Sequence, residues 1–186
     1  MKEVRQDILV WCDIETMGLD ATSPIIELGF RITDLDVNLI AKKSWTVWEP
    51  STYEQVWEES PEVVKQMHTS NKLVAEAYAR GCSREVVEQA AINWIVTGEY
   101  DGQPLAGSSV HTDRMWIAAQ MPDLLKCFHY RNIDTSTIKE LCRRLNPRVY
   151  DHLPTKNEQH RVDPDLEESC MEYKHYLDNF LWDGRE

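Results

Sequence analysis

The stretch from Leu9 to Asp20, LVWCDIETMGLD, decides how this chain is read. With Ile8 in front of it, the apolar run predicts a buried strand over 8–12. The run ends in Asp13 and Glu15, two carboxylates two positions apart, and then breaks at Gly18. Side chains at i and i+2 of a strand point to the same side, so Asp13 and Glu15 stand side by side. Like charges held together at the end of a buried strand are costly unless a cation neutralises them.

Working outward, PIIELGFRITDLD (24–36) is rich in β-branched residues and reads as a second strand. LIAKKSWTVWEP (39–50) alternates partly and stops at Pro50, and the short DVN between the two predicts a hairpin, so the sheet starts antiparallel. A helix start follows at Ser60-Pro61-Glu62, and SREVVEQAAINWIV (83–96) has helical spacing behind the N-cap Ser83. QPLAGSSV (103–110) reads as a short buried strand, DRMWIAAQM (113–121) as a helix stopped by Pro122, and YRNIDTS (130–136) as a strand. TSTIKELCRRL (135–145) reads as a helix and 146–159 as a loop. DPDLEESCMEYKHYLDNFL (163–181) reads as a last helix capped by Asp163 with Pro164 at its first position. Antiparallel strands followed by alternating strand and helix give an α/β plan with a mixed sheet. Without repeats or a linker, the 186 residues are expected to form a single domain with its core over about 7–181.

Thirty-two acidic against 20 basic residues give a net charge of −12. That balance argues against a long nonspecific grip on a polyanion, which needs many Lys and Arg contacts, and against long duplex nucleic acid as a partner. No apolar run approaches the ~20 residues of a membrane span, and MKEVRQDILVW has no signal-peptide h-region, so a cytoplasmic protein is expected. The five cysteines (Cys12, Cys82, Cys127, Cys142, Cys170) have no zinc spacing and read as reduced, mostly packing residues.

Further carboxylates have defined contexts. Asp113 follows the fourth strand at a helix start; Asp165 lies in the first turn of the last helix, five residues after His160. In α/β sheets functional groups collect at strand ends and adjoining helix starts, so one shared cleft is expected. Hard oxygen donors suit Mg²⁺ or Mn²⁺ rather than zinc. Two such ions about 4 Å apart support phosphodiester hydrolysis, with His160 as the base that takes the water's proton. Taken singly, Asp113 or Asp165 is more often a helix cap, and His68, His111, His129, His152 and His175 are expected to be solvated. Only the Asp13/Glu15 pair is unusual by itself.

DIETMGLD, GSSVHTDRMWIAAQMP, FHYRNIDTSTIKELCRR and HRVDPDLEES together resemble the oligoribonuclease family. That family belongs to the DEDDh branch of exonucleases with an RNase H-like fold, a mixed five-stranded sheet flanked by helices. The resemblance runs from about residue 7 to residue 180. It implies that Asp13, Glu15, Asp113 and Asp165 hold two divalent cations, Mg²⁺ or Mn²⁺, with His160 as general base. It implies 3′ to 5′ hydrolysis of short single-stranded RNA to 5′ mononucleotides. Leu19 corresponds to a wedge against a terminal base, and Ser109, Arg131, Ser136 and Thr137 to the holders of a 5′ phosphate. Tyr130 corresponds to a residue that reaches into a neighbouring subunit's site, which implies a homodimer. The chain departs from the family pattern at Thr16-Met17, at Ser108, at Pro164, and at Val63 in place of a stacking tryptophan that Trp57 is expected to replace if anything does. Two other readings stay open: a DEDDh exonuclease acting on longer RNA or single-stranded DNA, and a catalytically inactive nucleotide-binding module.

Overall fold

The computed structural model describes residues 5–157 and 159–181. Five strands form one sheet in the order β3-β2-β1-β4-β5. They are β1 (Ile8–Thr16), β2 (Ile25–Asp34), β3 (Leu39–Thr46), β4 (Leu105–Gly107) and β5 (Asn132–Asp134). The first three are antiparallel neighbours, whereas β4 and β5 join in parallel beyond β1. The helices are α1 (Pro50–Glu59), α2 (Glu62–Ser70), α3 (Leu73–Arg80), α4 (Arg84–Thr97), α5 (His111–Gln120), α6 (Pro122–Leu125), α7 (Thr135–Leu145), α8 (Pro147–Tyr150) and α9 (Val162–Asn179).

The central strand sorts its side chains by parity. Val10 and Cys12 face one core together with Leu28, Phe30 and Ile32 of β2, covered by α3, α4 and α5 through Leu73, Ala91 and Ile117. Leu9 and Trp11 face the other side and pack on Val162, Leu166 and Cys170 of α9. Fully burying an apolar side chain such as Leu166 stabilises by roughly 1.5–3 kcal/mol, so this smaller cluster fastens α9 to the sheet. Asp13 and Glu15 continue the odd register, which puts them on the α9 face. Gly29, opposite Asp13 in the β1–β2 ladder, makes the close approach of α9 possible, because a Cβ there would lie 2.1 Å from Val162 Cγ1.

Several elements differ from the sequence-based expectation. β1 runs through the carboxylates to Thr16, while the third strand ends at Thr46 and the chain turns at Pro50 into α1. Neither α1 nor α3 was expected, and α8 lies within the stretch read as loop. Asp163 is not the cap of the last helix. The cap position is Arg161, two residues earlier, where the amide of Val162 is taken by the carboxylate of Glu27 at 3.2 Å. Asp163 instead pairs with Lys42 at 2.6 Å and with Arg31 at 3.5 Å. No helix among the described residues is long and apolar enough to cross a membrane.

Candidate active site

Three elements and one loop deliver the acidic residues and His160 to one end of the α9 face. β1 presents Asp13 and Glu15, the latter only 8% exposed. The pairing of β1 with β4 covers only Val10 and Trp11, so the Ile14 amide further along needs another acceptor. It donates to Asp113 Oδ1 at 3.1 Å, which draws the first turn of α5 against β1. The first turn of α9 brings Asp165, and the loop before it brings His160. One donor atom from each of Glu15, His160 and Asp165 lies within 4.8 Å of the others.

Burial dominates the electrostatics of this group. Asp13 is pushed well above the usual carboxylate range by burial and then by the charges of Asp113, Glu15 and Asp165. Glu15 is raised to about 8 by burial, followed by Asp165 and Glu27. Asp113 rises to about 7 through burial, opposed by the amides that donate to it, and Asp165 rises to about 6, again chiefly through burial. Asp13 Oδ2 and Asp165 Oδ1 are buried and accept no hydrogen bond from the described residues. Clustered carboxylates with orphaned oxygens fit hard divalent cations, whose binding returns each group to its ionised form.

A second set lies where β4 leads into α5 and β5 into α7. Asp134 caps α7 and accepts from the amides of Ser136 and Ser109, both at 2.9 Å. This holds Ser109 in the left-handed region at φ 58 and brings its hydroxyl to 2.9 Å from that of Ser136. Arg131 is exposed beside the Tyr130 ring, 5.4 Å from its centroid, and Thr137 is exposed in the first turn of α7. Arg114 supports this corner from below, donating to the carbonyl of His129 at 2.6 Å and to Asn132 Oδ1 at 2.8 Å. Leu19, 80% exposed on the loop after β1, and Tyr130, 66% exposed, project without packing partners in the core.

Other sequence-based expectations need correction. His68 is fully buried rather than solvated: its Nε2–H donates to the carbonyl of Thr16 at 3.0 Å, and the ring lies 3.9 Å from Glu15. Burial holds its imidazole below the usual range. His129 and His175 are half-buried, whereas His111 and His152 are exposed. Trp57 does not replace the missing stacking tryptophan beside His160. It lines a cavity of about 850 Å³ with Trp48, His68 and Tyr78, on the opposite side of α2 from a cavity of about 800 Å³ that Val63, Asn71, His160 and Arg161 line. Glu27, Asn71, Asp134 and Arg161 were missed, although Glu27 carried a signal: it is a carboxylate within the otherwise apolar run 25–30.

A mixed sheet with acidic side chains gathered at the end of its central strand defines the class: the exonuclease family model, RNase_T, matches residues 10–173. Within that class, curated relatives cover nearly the whole chain. It is 40% identical over 176 residues to the oligoribonuclease of Corynebacterium diphtheriae, covering 92% of this chain and 82% of that one. The oligoribonuclease of Mycobacterium tuberculosis is 38% identical, covering 92% and 80%. The chain belongs to the oligoribonuclease family. Among solved structures, an E. coli exonuclease I complex with single-stranded DNA superposes with a TM-score of 0.67 at 14% identity over 95% of this chain. An exonuclease I from Methylocaldum szegediense gives 0.58 at 13% identity over 94%. These chains share the RNase H-like fold, and this chain spans only 41% of the length of each.

Proposed function

We propose that this protein is a metal-dependent 3′ to 5′ exoribonuclease, a single catalytic domain that hydrolyses short oligoribonucleotides to 5′ mononucleotides. One observation carries the reading. Asp13, Glu15, Asp113 and Asp165 converge with His160 at one sheet end, with buried carboxylate oxygens unpartnered. The four carboxylates are the residues to hold two divalent cations, Mg²⁺ or Mn²⁺. Such ions supply charge neutralisation at the scissile phosphate and stabilise the departing 3′ oxygen. His160 takes the proton of the attacking water. Leu19 separates the terminal base, and Ser109, Arg131, Ser136 and Thr137 hold the 5′ phosphate.

A terminal phosphate held by hydroxyls, helix-start amides and one guanidinium needs no basic groove, which agrees with a net charge of −12. Such a cap makes the enzyme favour the shortest RNAs and exclude long duplexes. Tyr130 then belongs to a homodimer, together with the exposed Leu141 and Leu145 of α7, and the cytoplasm is the compartment proposed for the enzyme.

The test uses a 5′-phosphorylated RNA dinucleotide with pure protein in Mg²⁺ or Mn²⁺. Conversion to 5′ mononucleotides, abolished by EDTA and by Asp13→Ala, is the expected result. A folded wild-type protein that leaves the dinucleotide intact with either ion overturns the reading in favour of a binding module.

A further inference from the structure

His160 sits in a backbone conformation that a side chain disfavours, with φ 50 in the left-handed region. A non-glycine residue stays there only when its surroundings hold it. Two groups from distant parts of the chain do so. Asn71, at the junction of α2 and α3, donates through Nδ2 to the carbonyls of His160 at 2.5 Å and Gln159 at 3.2 Å. Its own Oδ1 accepts from the Leu73 amide at 3.0 Å, so the donor is oriented.

The second group is Glu27 of β2. Arg161 grips it with a two-pronged contact, Nε to Oε2 at 2.9 Å and Nη2 to Oε1 at 3.0 Å, and Nη2 also reaches Glu76 of α3 at 2.9 Å. The Val162 amide adds a third bond to the same carboxylate at 3.2 Å. Glu27 is 3% exposed and lies directly opposite Glu15 in the β1–β2 register. One carboxylate, fixed on the strand beside Glu15, therefore holds both residues that follow His160.

We infer that Glu27 and Arg161, with Asn71, form a latch of positioning residues that fixes His160 relative to the acidic cluster. They need not touch substrate. The forked geometry matters, because a guanidinium binding both oxygens sets direction as well as distance, which an ammonium cannot do. The inference rests on His160 being the proton acceptor of the proposed hydrolysis. A displacement of about 1 Å in such a group costs about 100-fold in rate.

Three variants test this: Arg161→Lys, Arg161→Gln and the double Glu27→Gln/Arg161→Gln. The double variant removes the buried carboxylate charge that Arg161→Gln alone would strand, so it separates positioning from folding. Each is assayed for kcat and KM on the 5′-phosphorylated dinucleotide, for Mn²⁺ stoichiometry by calorimetry, and for backbone amide exchange over residues 159–162 without metal. The latch predicts that Arg161→Gln and the double variant lose about 100-fold in kcat with KM within threefold and Mn²⁺ stoichiometry unchanged. Arg161→Lys falls between them and wild type. Exchange at Val162 accelerates at least tenfold while amides of β1 and β2 keep their protection. If Arg161→Gln does not fold, the double variant and Arg161→Lys decide.

A kcat within threefold of wild type in the folded double variant overturns the latch. So does unchanged exchange at Val162, or a loss confined to KM or to metal binding. Faster exchange in a protein whose wild type is inactive would support the structural latch and count against the hydrolytic reading instead, so the two failures are distinguishable.

Discussion

Replacing Glu15 by Gln should make the metal-free protein more stable while removing a cation ligand. Glu15 is 8% exposed and its folded pKa stands at about 8, against an ordinary value of 4.5. A carboxylate with a raised folded value favours folding relative to its ionised form below 4.5, and that advantage is lost as pH climbs toward 8. At pH 7 the unfolded chain carries the charge and the folded chain resists it. The gap between 4.5 and 7, at 1.36 kcal/mol per pH unit, amounts to about 3 kcal/mol against the wild type. Gln fills nearly the same volume and has no charge to lose, so Glu15→Gln in EDTA should melt at most about 6–12 °C above wild type at pH 7. The difference should vanish near pH 4. Saturating Mn²⁺ should narrow or reverse the order, since a ligand at 100 times its Kd adds about 2.7 kcal/mol to the protein that binds it. Calorimetric scans at pH 4, 5.5 and 7, with and without Mn²⁺, check this. A variant no more stable than wild type at pH 7, or one whose advantage persists at pH 4, would refute the account of Glu15 as a buried carboxylate among like charges.

His160→Ala should lower kcat by about 10²–10⁴ while two Mn²⁺ still bind, as single-turnover rates and calorimetry would show. Ser136→Ala removes a hydroxyl 2.9 Å from that of Ser109 and should cost about 10- to 100-fold in preference for a 5′-phosphorylated over a 5′-hydroxyl dinucleotide, read as a ratio of kcat/KM values. Gly29→Ala places a methyl 2.1 Å from the present position of Val162 Cγ1, so α9 must shift; stability should fall by about 1–3 kcal/mol in urea melts, with kcat falling alongside.

The parts of the site that could be read in advance are those governed by local periodicity. The i, i+2 relation within β1 put Asp13 and Glu15 on one face, and the apolar pattern of the chain's last third announced the helix that carries Asp165. The antiparallel opening of the sheet followed from the short turn between β2 and β3. Contacts between remote segments set what was missed. Arg161 and Glu27 are 134 positions apart, and no local pattern reports that one will cap the chain next to the other. That same contact moved the start of α9 and released Asp163 to pair with Lys42. His68 was misread because helix α2 buries it against Thr16, 52 positions earlier. α1 and α3 are only 10 and 8 residues long, too few turns for periodicity to register.

The most direct test of the short-RNA reading is the dependence of rate on substrate length. Pure protein is incubated in Mg²⁺ with 5′-phosphorylated RNAs of two, three, five, ten and twenty nucleotides, with EDTA controls. The account predicts rapid, metal-dependent loss of the dinucleotide and a steep fall in kcat/KM beyond a few nucleotides, because the 5′ phosphate must reach the corner formed by Ser109 and Ser136. Comparable rates from two to twenty nucleotides would contradict it and assign the protein to longer single strands.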